Sequence, residues 1–495
     1  MAEQEDEGRN SSAAKRPMGT MRALLWTTGS VFIPGIAHLR TGRKAAGAVI
    51  LGAYLLLVAA AVVAAVLVSG DLASGARLGL QSRWLLTAAG VAFVVAVLWM
   101  TVIVHSWSIT RPPGRRWGVR VLSSSLVLVL CLAIAAPAGA VMYASYTFYD
   151  AMTTVFGNEP GDVPHNAADP WNGQDRVNVL LLGGDSGDNR YGTRTDSMMV
   201  ASIDVKYGDV VLIGLPRNLE SVQFPKGSAL AERYPPPAGF TDLLNEVYQA
   251  VADDPKKLAI DPDASDPAAD TLKQVISDSI GQEIDYYTLV DMYGFAKMID
   301  AVGGIDVHVD EPIPYGLEGK VIESGDQHLT GDEAMWYGRS RTNSDDYSRM
   351  GRQGCLIKYV AEQADPATLL TSFQDLAGAT KRTFRTDIPQ SKVPHFVDLA
   401  QQVSEGNMKT FQLSPPQVNT ANPDWKKIRT LVDDAVQEQE DAQGSDAGPD
   451  DQEPSPSASP KDETAEPGGG EPSASPTTPG RQVGDEATSL EKLCP

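Results

Sequence analysis

Three stretches of the chain are almost without polar positions. Ala48–Val68 is an uncharged apolar run of 21 residues, and Leu85–Val104 and Val121–Val141 are two more of similar length. At about 1.5 Å of helix rise per residue, each is long enough to cross a hydrocarbon core of about 30 Å. The pattern predicts three membrane-spanning helices, at 48–68, 85–104 and 121–141, after an amino-terminal segment, 1–47. Ala23–Leu39 is also apolar, but it is short and contains Pro34 and His38. It is expected to be interfacial or re-entrant rather than a fourth span.

After the third span the alternation changes. Residues 144–174 carry turn formers without periodicity ("GNEPGDVPHNAADPWNGQ") and are expected to be a linker. From 175 onward, Val177–Gly184, Ser197–Val205, Asp209–Leu215, Asp285–Asp291 and Gly304–Asp310 read as strands. Helical patterns cover Phe240–Ala252, Ala269–Ile280, a segment ending at Val302, Thr330–Tyr337, Ser344–Gln363 and Pro366–Ala377. Strands interleaved with helices predict an α/β or α+β sandwich, with helices on both sheet faces, over about 175–432. The remainder, 433–495, is rich in Pro, Ser and acidic residues and is expected to be disordered, because it offers too little apolar surface to offset its ordering entropy.

Charge sets the orientation and narrows the partners. Basic residues concentrate before the first span and between the second and third, as in Arg40, Arg43, Lys44, Arg111, Arg115, Arg116 and Arg120. That asymmetry predicts a cytoplasmic amino terminus and an exported domain after the third span. The formal net charge is −22, and beyond Tyr143 there are 28 basic against 58 acidic residues. A general affinity for nucleic acid is excluded on that balance. Of the three cysteines, Cys131 falls in the third span, while Cys355 and Cys494 are both expected outside. There a bridge between them could persist; a buried thiol at Cys355 and a stray one at Cys494 is the alternative.

Within this acidic domain, "RSRTNSDDYSRMGRQ" (Arg339–Gln353) places four arginines and two aspartates in fifteen residues. Three further clusters hold similar groups: "GGDSGDNRYGTRTDS" with Asp185, Asp188, Arg190, Arg194 and Asp196; "LPRNLE" with Arg217 and Asn218; and "LLNEVY" with Asn245. Guanidinium grips phosphate oxygens bidentately without losing its charge, and magnesium commonly takes one or two carboxylates and completes its shell with water and phosphate. The combination suggests a pyrophosphate site. Each piece also has a local reading: Asp345 and Asp346 could start a helix and pair with Arg349, and Arg349 and Arg352 could be solvated on one helix face.

Taken in order, "LLLGGDSGDNRYGTRTDSMMVASID", "LIGLPRNL", "DYYTLVDMYGFAKMIDAVGGIDVHV" and "LTGDEAMWYGRSR…DDYSRMGRQ" resemble the LytR-CpsA-Psr family of bacterial cell-wall enzymes. The resemblance covers Val177–Gln363 and continues more weakly to about Val432, roughly half the chain. It implies an exported αβα sandwich around a central mixed sheet. It also implies a phosphotransferase that moves an anionic glycopolymer from a polyprenyl-pyrophosphate carrier to peptidoglycan at the outer face of the cytoplasmic membrane. Carried over by position, Asp185 and Asp196 would hold Mg2+ or Mn2+, and Arg194, Arg217, Arg339, Arg341, Arg349, Arg352 and Gln353 would line the phosphates. Asp196, Arg217, Arg339, Arg341, Asp346 and Arg349 form the implied catalytic set.

Two features depart from the family pattern. Asn218 follows the Pro-Arg pair where many relatives have an acidic residue, which leaves Asp346 as the candidate base. Three spans are expected where many members have one. Two other functions fit the same residues: a polyprenyl-pyrophosphate phosphatase using water as acceptor, and a non-catalytic lipid-binding envelope regulator. The composition of the membrane region and tail suggests an actinobacterial source, for which teichoic-type polymers or arabinogalactan are both compatible substrates.

Overall fold

The computed structural model describes residues 20–70, 82–110, 117–156, 169–185, 193–316, 318–342, 344–365, 368, 384–446 and 486–494. The chain forms two compact units, Met1–Tyr149 and Asp150–Pro495.

The first unit is helical. α1 (Thr20–Phe32) and the short α2 (Ile36–Arg40) precede α3 (Lys44–Gly70), α4 (Ser82–Thr110) and α5 (Trp117–Val155). The last three contain stretches long and apolar enough to cross a membrane, Lys44–Val63, Leu86–Thr110 and Val121–Asp150. Their surfaces expose Leu56, Val91 and Leu128, the reverse of a helix that faces water. At thirteen residues α1 is only about 20 Å long. The chain breaks after it at Gly35, in keeping with a short segment beside the spans. α1 packs on α4, where Thr27 and Thr110 hydroxyls bond at 3.1 Å and Trp99 Nε1 donates to the Val31 carbonyl.

The second unit is built on a seven-stranded mixed sheet in the order β11-β10-β3-β2-β1-β4-β9. Its strands are β1 (Arg176–Asp185), β2 (Arg194–Asp204), β3 (Val210–Leu215), β4 (Tyr286–Asp291), β9 (Phe384–Thr386), β10 (Met408–Gln412) and β11 (Thr488–Ser489). β1 runs antiparallel to β2 and parallel to β4, and β3 runs antiparallel to β2 and parallel to β10. Every residue of β3 is buried, which is why it reads as a continuous apolar run. Val211, Ile213 and Leu215 pack into the cluster on one face with Leu272, Val275 and Ile276, while Val210 and Leu212 join Ile299, Tyr337 and Leu356 on the other. Helices therefore cover both faces.

The helices on the first face include α6 (Val247–Asp253) and α7 (Pro267–Ile280); those on the second are α8 (Met292–Ala301), α9 (Gly331–Arg339) and α10 (Asp346–Gln363). α11 (Val393–Glu405), α12 (Trp425–Asp446) and α13 (Leu490–Leu493) follow. β5 (Ile305–Val309) does not enter the main sheet; it pairs with β8 (Gly325–Leu329), and β6 (Ile313–Tyr315) pairs with β7 (Lys320–Ile322).

Several boundaries differ from those read in the sequence. α5 continues to Val155, into the stretch expected to be linker. The tail expected from residue 433 is structured at both ends. α12 runs to Asp446 because Val432, Ala435, Val436 and Gln439 form a buried stripe beneath its acidic face. At the carboxyl end, β11 pairs with β10, and Cys494 forms a disulfide with Cys355, resolving the pairing the sequence left open. The helix expected over Pro366–Ala377 lies, apart from Thr368, outside the described residues, as does 447–485.

Candidate active site

The site forms where β1 ends and β2 begins. β1 closes on Gly183, Gly184 and Asp185, with a register shift between the two glycines. A Cβ at Gly183 would lie 2.8 Å from Ser197 Cβ, so only glycine lets the two strands approach there. Asp185 ends β1 and Asp196 lies on β2, and both line one cavity.

Asp196 is held by two donors on its Oδ1: Arg217 Nη1 at 3.0 Å and Asn245 Nδ2 at 2.9 Å. Burial alone pushes this carboxyl up. Those hydrogen bonds, with the charges of Arg217 and Arg349, outweigh burial and hold it below the usual carboxylate value. Asp346 is the second hub. Its Oδ1 lies 3.4 Å from Arg217 Nε, 3.8 Å from Arg341 Nη1 and 3.1 Å from Arg349 Nε, and its Oδ2 lies 3.3 Å from Arg349 Nη2. Asp345 caps the same helix, accepting from Ser348 N at 2.7 Å, so the local helix-start reading is also correct. Arg339, at the end of α9, reaches Asp185 Oδ2 at 3.3 Å and lies over the Trp336 ring.

The cavity measures about 740 Å³ and changes character along its length. On β1 the lining positions run Leu181, Gly183, Asp185, and the register sets them beside Met199, Ser197 and Arg194 of β2. Four residues of strand span about 13 Å. α10 repeats the sequence of characters on one face, with Arg349, Gln353 and Ile357 at i, i+4 and i+8. The middle rows are joined by Ser197 Oγ donating to Gln353 Oε1 at 2.8 Å, while Gln353 Nε2 donates to the Gly338 carbonyl. One end is thus lined by arginines and carboxylates, and the other by Leu181, Met199, Phe295, Met335 and Ile357.

The structure brings Asp185, Asp196, Arg194, Arg217, Arg339, Arg341, Arg349 and Gln353 to this lining. Asp346 stands behind three of the arginines. Arg352 does not reach the cavity: it is 4% exposed and donates to the Ser340 carbonyl and to Ser344 Oγ, fixing the loop before α10. The two arginines, Arg349 and Arg352, lie within about 60° of each other around the helix axis, so these loop contacts, not the turn of the helix, hold Arg352 away from the cavity. Arg194 is half exposed at the rim and pairs with Glu246 at 3.2 Å. Asp188 and Arg190 lie outside the described residues. Ser197 and the apolar wall were not in the expected set; Asn245 was among the expected clusters but without a role, and only the fold aims its amide at Asp196.

The donor set fits a hard divalent cation. Asp185 and Asp196 face the arginine-lined end of the cavity, where a third lining aspartate, Asp291, instead caps α8, and both Asp196 contacts fall on Oδ1, with neither on Oδ2. Among the described residues no three His, Cys, Asp or Glu side chains gather as a metal-ligating group, so an ion held here would complete its shell with water and phosphate oxygens.

Comparison with known proteins bears on the same elements. The polyisoprenyl-teichoic acid–peptidoglycan teichoic acid transferase TagU of Bacillus mycoides is 27% identical over 219 residues, covering 44% of this chain and 62% of that protein. Its counterpart from Halalkalibacterium halodurans is 24% identical over 218 residues, covering 43% and 62%. The chain therefore spans less than two thirds of the length of these relatives. The crystal structure of B. subtilis TagV aligns with a TM-score of 0.37 at 22% identity, covering 52% of this chain and 96% of that one. The model of the LytR_cpsA_psr family matches residues 142–440, more than half of the chain. Since that match runs through every strand and helix that lines the cavity, the chain belongs to the LytR-CpsA-Psr family.

Proposed function

We propose that the protein is a phosphotransferase that attaches an anionic glycopolymer, carried on a polyprenyl pyrophosphate, to peptidoglycan at the outer face of the cytoplasmic membrane. The observation that carries this reading is the gradient along the cavity. A polyprenyl pyrophosphate is a dianionic head on an apolar chain, and the cavity offers guanidinium groups at one end and Leu181, Met199, Phe295 and Ile357 at the other. A soluble nucleotide or sugar phosphate would have no use for the apolar half. The activity for which the TagU relatives are named, teichoic acid transfer to peptidoglycan, agrees with it.

In the proposed reaction an acceptor hydroxyl attacks the phosphorus that bears the glycopolymer. A new P–O bond forms to the acceptor, the bridging P–O bond of the pyrophosphate breaks, and polyprenyl phosphate leaves with the bridging oxygen, the hydroxyl proton passing to that leaving phosphate or to solvent. Arg217, Arg339, Arg341 and Arg349 would grip the phosphoryl oxygens and meet the charge that grows on the leaving group. Asp185 and Asp196 would hold Mg2+, which supplies further charge neutralisation when bound. Asp346 is better suited to positioning Arg217, Arg341 and Arg349 than to accepting the hydroxyl proton, because guanidinium groups occupy both its oxygens.

The test uses the full chain in nanodiscs with a synthetic polyprenyl-pyrophosphate glycan, a peptidoglycan oligomer, and Mg2+ present or chelated. A Mg2+-stimulated glycan–peptidoglycan phosphodiester, lost in Asp196→Ala, is the expected product. Polyprenyl phosphate released without linked product would replace this reading with a phosphatase, and tight lipid binding without turnover would replace it with a binding protein.

A further inference from the structure

The membrane unit holds a cationic cluster that the reaction of the exported unit does not use. α2 ends at Arg40, and Gly42 takes a φ of +88°, a conformation that favours glycine. This turn brings the Arg43 backbone N–H to the His38 carbonyl at 3.0 Å and sets the Arg43 side chain near the end of α4. There Arg43 Nη1 lies 3.3 Å from His105 Nε2. Arginine has no acceptor, so His105 Nε2 accepts, and its Nδ1 carries the proton as a second donor on an exposed side chain. Beneath them the His38 ring lies 5.0 Å from the His105 ring. His38 is 2% exposed, and its Nδ1 is buried without a partner in the protein.

The charges around this cluster are not balanced. Between Glu7 and Asp150 the sequence has one carboxylate, Asp71, and it follows the far end of α3. Arg43 and Lys44 stand where the first span starts, and His105 lies near the end of the second, so the cluster sits at one membrane face whichever way the helices point. Trp26, whose ring lies under Arg40 at 5.0 Å, and Trp107, two residues beyond His105, place aromatic groups at the same level. Tryptophan at that depth is characteristic of the headgroup region.

We infer that Arg43 and His105, backed by the buried His38, form a binding site for the phosphate of a lipid headgroup at this face. The guanidinium supplies charge and the imidazole a directed donor, the pairing that anionic phosphodiesters accept. The adjoining spans supply the apolar flank that a free phosphate ion would leave unused.

The test is native mass spectrometry of the full chain in detergent, titrated separately with phosphatidylglycerol, phosphatidylcholine and inorganic phosphate. Wild type is expected to retain phosphatidylglycerol about tenfold better than phosphatidylcholine, with millimolar phosphate unable to displace it. Arg43→Gln and His105→Ala, both at exposed positions, should each lose most of that preference, and Arg43→Lys should keep most of it. Equal retention of the two lipids by wild type, an unchanged preference in both variants, or displacement by inorganic phosphate would each overturn the assignment.

Discussion

Asn245 Nδ2 donates to Asp196 Oδ1 over 2.9 Å, from a side chain that is 2% exposed. This amide fixes one oxygen of a carboxylate that also answers to Arg217, and it reaches the site from the turn before α6. Asn245→Ala removes a hydrogen bond to a charged group, worth about 1.5–3 kcal/mol, so transfer should fall by about 10- to 100-fold. Asn245→Asp should be worse, because two carboxylates would then share the position. Single-turnover transfer by both variants measures this; an activity within twofold of wild type for Asn245→Asp would exclude a positioning role.

The same contact sets an acid limit on stability. Asp196 titrates below its ordinary value, so its ionised form contributes stability that is fully present above about pH 4 and is lost as the pH falls through the depressed value. Removing Asn245 takes away one of the bonds that depress it. Urea unfolding of wild type and Asn245→Ala between about pH 2 and pH 7 should therefore give curves that are apart at neutral pH and converge in acid. A constant gap across the range would assign the effect to packing instead.

Much of this fold is legible in the chain because its strongest signals are local. β3 is an unbroken apolar run, and Asp266 and Thr330 cap α7 and α9 where helical periodicity begins. β10 was not legible: "MKTFQ" is polar at Lys409, Thr410 and Gln412 and shows no alternation, and its pairing partner β3 lies nearly two hundred residues earlier. The arginines of the site could be read from type and spacing, since nothing else in an acidic domain explains their gathering. Which of them faces the cavity could not. Arg349 and Arg352 stand three apart on one helix, and only the loop carbonyl of Ser340 separates their roles. The stripe of Val432, Ala435, Val436 and Gln439 was masked by six acidic neighbours between Asp433 and Asp446.

The carboxyl end is expected to act on the site from behind. Cys355 is fully buried in the middle of α10, six residues past Arg349 and two past Gln353, and its disulfide to Cys494 closes a separation of 139 residues. Cross-links over long loops typically contribute about 2–5 kcal/mol. Cys494→Ser should lower the melting temperature of the second unit accordingly, and reductant should reproduce the loss only under conditions that open the buried bond. Scanning calorimetry of wild type and Cys494→Ser, each with and without reductant, decides it; equal melting temperatures would show that the clasp is energetically idle.

Gly331 tests how closely α8 and α9 must approach for Arg339 to meet Asp185. A Cβ at this position would lie 1.8 Å from the Ala296 carbonyl oxygen, which is helix backbone and cannot turn aside. The Gly331 N–H also donates to Asp300 Oδ1 at 2.7 Å, so the contact is both tight and directional. Even Gly331→Ala must therefore push the two helices apart, at an expected cost of about 3 kcal/mol. α9 carries Met335 and Arg339 on its cavity face, so the displacement should reach the site. Weakened binding of the proposed pyrophosphate substrate is expected together with the lower stability. Asp332→Ala, one residue along on an exposed position, should leave both unchanged. If Gly331→Ala melted at the wild-type temperature, the two helices would be shown to have slack, and the rigid placement of Arg339 would have to come from Trp336 and the α9–α10 packing instead.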